Sequence, residues 1–199
     1  MKILFIADRE SKALWDYYDK SRVKDVDLII SCGDLKKEYL EFLVTMVGCP
    51  LLYVHGNHDD RFAKQPPEGC TCIDDKIVTV SGLRILGLGG CRRYNPYALY
   101  MYEEDEMARR IQKLRRPLKK SGGFDLLVTH APARGHGDLE DLPHQGFECF
   151  NTLLETYHPS HMVYGHVHKE YGATSFNRFL QHPGGTTLVN AWEYVILDI

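Results

Sequence analysis

Apolar residues recur along this chain in two rhythms. Ile3 to Ala7, Val26 to Ser31, Pro50 to Val54, Asp125 to Thr129 and Met162 to Tyr164 are short, nearly continuous apolar runs, the mark of strands buried on both faces. Between them the spacing turns helical. Leu14, Trp15 and Tyr18 predict a helix from an N-cap at Ser11 to about Lys20. Leu40, Leu43, Val44 and Val47 predict a second over Lys37 to Val47. The resulting β-α-β-α-β order implies an α/β fold with a parallel sheet and helical crossovers.

The rest is less regular. Arg61 to Asp75 reads as a surface loop, and Lys76 to Val80 with Leu83 to Leu88 as a hairpin about Ser81-Gly82. Cys91 to Tyr97 is a second loop. A helix beginning near Glu103 turns Met107, Ile111 and Leu114 inward, with Asp105–Arg109 and Glu106–Arg110 as i,i+4 pairs and Pro117 ending or kinking it. Its basic end, Lys113 to Lys120, matches the helix dipole, a stronger reading than a nucleic-acid contact. Ala131 to Gly146 is long, rich in Gly, Pro and His, and of a length often functional. A helix over Phe147 to Tyr157 follows, and Tyr171 to Ile199 reads as an antiparallel finish to a second sheet. Without a repeat or linker, residues 1–199 read as one domain.

The chemistry lies where the runs stop. Their ends carry Asp8, Asp34, Asn57 with His58, His130, and His166 with His168, and open parallel sheets bind ligands beyond the carboxyl ends of their strands. Each residue alone has an ordinary reading: an Asp after a strand caps a helix, Gly56-Asn57-His58-Asp59 makes a turn, and a single His is a hydrogen-bonded surface group. Together, at one sheet edge, they form a set of metal-ligating types. Roughly eight such groups oversupply one ion and suit two. In His166-Val167-His168 the two imidazoles share a face of an extended segment.

Composition narrows the setting. The chain has 199 residues, 44% hydrophobic and 26% charged, with a net charge of −3. That is an ordinary globular balance without global attraction to nucleic acid or anionic membrane. The apolar stretch from Met1 ends at Asp8, too short for a secretion signal or a bilayer span. Six scattered cysteines suggest reduced thiols and a cytoplasmic location.

In Gly33-Asp34, Gly56-Asn57-His58-Asp59, His130-Ala131-Pro132 and Gly165-His166-Val167-His168 the chain resembles the calcineurin-like metallophosphoesterase superfamily over nearly its whole length. The resemblance implies a four-layer α-β-β-α sandwich of two mixed sheets flanked by helices, with a dinuclear metal site at one sheet edge. It assigns one ion to Asp8, Asp34 and His168, and the other to Asp34, Asn57, His130 and His166, with Asp34 bridging. It implies hydrolysis by a hydroxide held between two divalent ions. By the same resemblance His58 is expected to contact the phosphate and donate to the leaving oxygen, a step typically worth about 10²- to 10⁴-fold. Asp59 either orients His58 or caps the following helix.

Two departures sharpen this. The superfamily's opening Asp-x-His is Asp8-Arg9-Glu10 here, so Glu10 is expected as a replacement ligand. Three carboxylates about the first ion would then favour Mn²⁺ or Fe²⁺ over Zn²⁺, with Ni²⁺ also admissible. Lys37 stands where the phosphoprotein phosphatases carry an acidic residue, which points to the small, mostly bacterial phosphodiesterases and phosphatases instead. Substrate contacts are expected from Arg92, Arg93, Tyr94 and Tyr97 in one loop and Arg134, His136 and His144 in the other. The substrate class is a small phosphate ester, a nucleotide among the candidates. A phosphodiesterase is favoured over a phosphomonoesterase and over an inactive metal-binding scaffold of the same fold, because His58 is present and only one ligand is altered.

Overall fold

The buried strands alternate between two apolar layers, and that alternation builds the molecule. In the computed structural model, which describes residues 1–169 and 176–199, Lys2–Ala7 forms β1. Ile3, Phe5 and Ala7 face one layer, and Leu4 and Ile6 face another. Leu28–Ser31 (β2) does the same, with Leu28 and Ile30 on one side and Ile29 on the other. Leu51–Tyr53 (β3) and Cys70–Cys72 (β4) complete a parallel run β1-β2-β3-β4.

The second sheet is built likewise. Lys76–Val80 (β5) and Leu83–Leu88 (β6) form the expected antiparallel hairpin. The pair Cys91–Arg92 (β7) and Met101–Tyr102 (β8) stands apart as a two-stranded ribbon. Leu126–Thr129 (β9) lies parallel to β6, and His161–Tyr164 (β10) parallel to β9. Phe179–Gln181 (β11), Thr187–Asn190 (β12) and Glu193–Asp198 (β13) close the chain. The sheet orders are β13-β1-β2-β3-β4 and β11-β12-β10-β9-β6-β5.

Three apolar layers separate four structural ones. Between the sheets lie Phe5, Ile30, Val54, Val128, Val163 and Val189. Lys37–Val47 (α1) covers the first sheet with Tyr39, Leu40 and Leu43. Glu104–Lys113 (α2), Arg115–Ser121 (α3) and Glu148–Tyr157 (α4) cover the second with Met107, Leu118, Phe150, Leu153 and Leu154. Full burial of each such side chain contributes about 1.5–3 kcal/mol. The α-β-β-α sandwich of two mixed sheets is therefore the observed architecture.

Several local expectations are corrected. Ser11 to Lys20 is not a helix: Leu14 N bonds Ser11 O and Tyr17 N bonds Lys12 O, an irregular chain of turns. The Asp16-Tyr17-Tyr18-Asp19 run has weak helix propensity, and Asp19 instead starts a 3-10 turn at Lys20–Val23. Leu14 is still fully buried, and Trp15 packs on Tyr39 with ring centroids 5.1 Å apart. The loop expected over Arg61 to Asp75 contains β4, too short to show an alternation. The interruption expected from Pro117 is present, one turn ahead of it. The break falls at Leu114, and Pro117 sits in the first turn of α3, where its missing N–H has no partner to lose.

Arg109 pairs with Asp105 as expected, at 2.6 Å, but Glu106 turns to Arg93 and Arg110 to Asp75. The closing stretch is divided between the sheets. β11 joins the second sheet antiparallel to β12, while β12 runs parallel to β10 and β13 pairs antiparallel with β1. The first residues of that stretch, 171–175, lie outside the described residues.

Candidate metal centre

Parallel strands of both sheets end at one rim, and hydrogen bonds there join the sheets. Asp8 follows β1, Asp34 lies three residues after β2, Asn57 and His58 follow β3, His130 follows β9, and His166 and His168 follow β10. The His166 backbone N–H donates to both Asp8 carboxylate oxygens, at 2.9 and 3.0 Å. His130 Nδ1 lies 2.7 Å from the Cys32 carbonyl oxygen. Asp8, Asp34 and His166 all take left-handed backbone angles, with φ of 65°, 59° and 68°. Such conformations cost on the order of 1–2 kcal/mol each and turn the chain sharply at the strand end. The approach also needs two glycines: a Cβ on Gly33 would lie 2.3 Å from Gly56 N, and one on Gly56 would lie 2.0 Å from Asp34 Oδ1.

Four ligand atoms converge at the centre of this rim. His130 Nε2 is 2.9 Å from Asn57 Oδ1, 3.1 Å from His166 Nδ1 and 3.3 Å from Asp34 Oδ2. The outer nitrogen of each imidazole faces a backbone carbonyl, His130 Nδ1 that of Cys32 and His166 Nε2 that of Pro143 at 2.7 Å. A carbonyl only accepts, so those outer nitrogens carry the protons, and in the neutral rings Nε2 of His130 and Nδ1 of His166 present lone pairs. Two imidazole lone pairs, a carboxylate and a carboxamide oxygen so placed require a positive charge between them.

The charges packed around these groups act in the same direction. Burial works against a charge on His130, but Asp34 and Asp8 beside it raise its pKa to about 9. A proton there serves where a cation fits. Burial opposes ionisation of Asp34 too, yet His130 and the bonds from His130 and His58 bring it to about 2. Burial and then the charge of His130 lower His166 to about 3. Beside this group, His168 Nε2 stands 3.6 Å from Asp8 Oδ1. The donor set fits two divalent ions of borderline or hard character.

The centre opens into a cleft of about 230 Å³ lined by Asp34, Asn57, His58, Tyr94, Pro143, His144, His166 and His168. His58 is solvent-exposed there, while its backbone N–H donates to Asp34 Oδ1 at 2.8 Å. Tyr94 reaches the cleft from its loop, its Oη accepting from Asn57 Nδ2 at 3.0 Å.

Other expected residues lie elsewhere. Glu10 accepts from the Lys36 backbone N–H at 3.0 Å and faces the Lys36 amine at 3.8 Å, so it lines a separate surface hollow with Arg9, Ser11 and Trp15. The chain turns at Asp8, and Glu10 reaches the start of α1 instead of the metal rim. Asp59 stands at the N-cap of the Asp60–Ala63 turn, but its side chain neither caps that turn nor orients His58: its Oδ2 accepts from Gly56 N at 2.7 Å and Asp34 N at 3.0 Å. It pins the turn that carries the ligands, and burial together with Asp34 raises its pKa to about 6.

Arg92 pairs with Glu104 at 3.1 Å and lies over the Phe147 ring, and Arg93 pairs with Glu106 at 2.6 Å. Arg134 pairs with Asp138 at 2.7 Å and Glu140 at 3.2 Å. These three arginines fasten loops and do not line the cleft. Tyr97 is 90% exposed on the outer side of its loop, and His136 packs on His182. Of the expected substrate contacts, Tyr94 and His144 are brought to the cleft. The Pro143 carbonyl was not foreseen; its only signal was the Pro/His content of the 131–146 loop.

A second group, His55, Cys72 and Asp74, also gathers ligand types. Asp74 Oδ2 accepts from His55 Nδ1 and from His55 N, the latter at 3.2 Å. Its Oδ1 accepts from Gly89 N at 2.5 Å and lies 3.8 Å from the Arg110 guanidinium. With both oxygens so engaged, this group is a buried ion pair. The His55 ring stacks on Tyr100 at 4.1 Å, so the cluster braces the residue just before Gly56.

The strand-edge rim and its converging ligands thus define a metal-binding α/β sandwich, and comparison with known proteins gives the class a name. Residues 1–170 match the calcineurin-like phosphoesterase family model. The chain belongs to the calcineurin-like phosphoesterase family. It is 32% identical over 129 residues to metallophosphoesterase domain-containing protein 1 of Homo sapiens, an alignment covering 61% of this chain and 34% of that protein. It is 27% identical over 157 residues to the 3',5'-cyclic adenosine monophosphate phosphodiesterase CpdA of Pseudomonas aeruginosa, covering 73% of this chain and 56% of that one. These relatives are animal and bacterial, so they do not single out the bacterial group. The chain spans 25% to 63% of the length of three Caenorhabditis elegans relatives it matches. The fold is shared with TT1561 of Thermus thermophilus, at a TM-score of 0.66 and 15% identity over 99% of this chain and 93% of that one.

Proposed function

We propose that this chain is a two-metal-dependent phosphoesterase acting on small phosphate esters, with phosphodiesters favoured, and that residues 1–199 act as one domain. The observation that carries the reading is the convergence of Asp34, Asn57, His130 and His166 on one point with their lone pairs inward. In this reading Asp34, Asn57, His130 and His166 hold one ion, and Asp8, His168 and the shared Asp34 hold the other. Two divalent ions supply a nucleophile at neutral pH and positive charge for the phosphoryl oxygens.

The chain's own residues do the rest. His130 and His166 are held in their ligating tautomers by the Cys32 and Pro143 carbonyls. Asp59 fixes the turn that presents Asn57 and His58. His58, exposed in the cleft, is placed to donate a proton to the leaving oxygen. The preference for diesters is supported by the CpdA relative. Glu10 lies away from the centre, so neither a diester preference nor a choice of Mn²⁺ or Fe²⁺ over Zn²⁺ rests on a third carboxylate. Among the described residues no helix is long and apolar enough to cross a membrane; the cytoplasmic reading rests on the sequence.

The test is hydrolysis of an aryl phosphodiester by metal-stripped protein with and without Mn²⁺, beside His58→Ala. Metal-dependent turnover, falling about 10²- to 10⁴-fold in the variant, is expected. Absence of turnover with Mn²⁺, Fe²⁺, Ni²⁺ and Zn²⁺ alike would overturn the enzyme reading in favour of a metal-binding scaffold.

A further inference from the structure

We infer that Tyr94 is a positioning residue for the metal centre, acting through Asn57. The inference rests on the two-metal reading above and adds a residue to it. Asn57 is 4% exposed, and its carboxamide has two unlike ends. Oδ1 faces His130 Nε2 at 2.9 Å and is the only end able to hold a cation. Nδ2 must find an acceptor elsewhere, because a buried amide donor left unmet is destabilising. The Tyr94 hydroxyl, at 3.0 Å, accepts from it. One phenol thus satisfies the amide and holds its plane, so that Oδ1 stays on the ion.

The loop around Tyr94 is built for this. Gly90 turns it at φ 90°, where a Cβ would lie 2.5 Å from the Tyr102 ring. Beyond the turn, β7 pairs with β8, and Arg93 N donates to Tyr102 O at 3.1 Å. Arg92 and Arg93 are tied to Glu104 and Glu106 on α2. On the far side, Asn95 Oδ1 accepts from Tyr97 N at 3.0 Å. Arg92 and Arg93, expected to touch substrate, therefore fasten the segment that presents Tyr94.

The experiment is calorimetric titration of metal-stripped wild-type protein and Tyr94→Phe with Mn²⁺. Urea unfolding of both serves as the control, since Tyr94 is 40% exposed and its hydroxyl is not part of the core. Outer partners of metal ligands typically contribute about 10- to 100-fold in affinity. The expected result is a loss of that size in one of two Mn²⁺ steps, with the other step unchanged and the urea transition still cooperative, its midpoint lowered only slightly by the Asn57 amide left unmet. Two unaltered steps in the variant would overturn the role of Tyr94 and leave the two-metal reading standing. Wild-type protein that takes up no Mn²⁺ would overturn both.

Discussion

Replacing His55 by Gln should remove a pH dependence from the stability of this protein. His55 and Asp74 form an ion pair whose side chains are only 11% and 14% exposed, too little for solvent to screen it as it screens a surface pair. The groups facing His55 are Asp74, Cys72, Tyr53, Phe62 and Tyr100, and Arg110 stands behind Asp74. Burial resists the charge on His55, but the hydrogen bond and charge of Asp74 raise its pKa from 6.5 to about 9. At about 1.4 kcal/mol per tenfold, the native state holds that proton more tightly by about 3 kcal/mol.

Because the native pKa lies above the unfolded one, this contribution is complete below pH 6.5 and is lost as pH rises through about 9. Asp74 shifts the opposite way, downward, so its share is present above its ordinary pKa of 3.8 and is lost only in acid. Urea unfolding at intervals from about pH 6 to about 9.5 measures the effect. Wild-type protein should fall towards His55→Gln by about 3 kcal/mol across that range. The difference between the curves isolates His55 from His130, which titrates nearby in pH. If the two curves run parallel, the ion-pair argument is refuted.

Gly56→Ala should destabilise the protein by about 1–3 kcal/mol, as overpacking does, and should lower metal content as well, since its Cβ falls 2.0 Å from Asp34 Oδ1. Urea midpoints and atomic absorption would show both losses, and a variant with normal metal content would count against the close approach. Glu10→Ala should leave metal content unchanged and change stability by no more than about 1 kcal/mol, the range of an exposed pair. A variant that loses one ion would return Glu10 to the centre.

The parts of this structure that were legible in the sequence are those whose pattern has a single physical reading. The buried runs of β1 and β2 could only be strands, and Leu40, Leu43 and Val47 could only line one face of a helix. The ligands were legible because several strand ends carried the same chemistry. What stayed hidden was direction. Glu10 has the right spacing to follow Asp8, but the left-handed turn at Asp8 and the amide of Lys36 carry it away. Arg92 and Arg93 look like phosphate contacts until Glu104 and Glu106, 12 and 13 residues later, are seen to meet them. β4 was missed because a three-residue edge strand has no room for a period. The Ser11 segment was misread because its apolar residues do face the core, but from turns.

The left-handed angles at Asp8, Asp34 and His166 bear on how this protein could be altered by selection. Glycine is the residue that adopts such angles without penalty. At Asp8 and Asp34 that relief is set against the hydrogen bonds their carboxylates accept from His166 N and His58 N, so a library sorted only for resistance to heat or protease weighs strain against those bonds and takes no account of the ligands. Survivors that settle on glycine would have lost them. Any campaign to harden this fold must screen for bound metal in the same round.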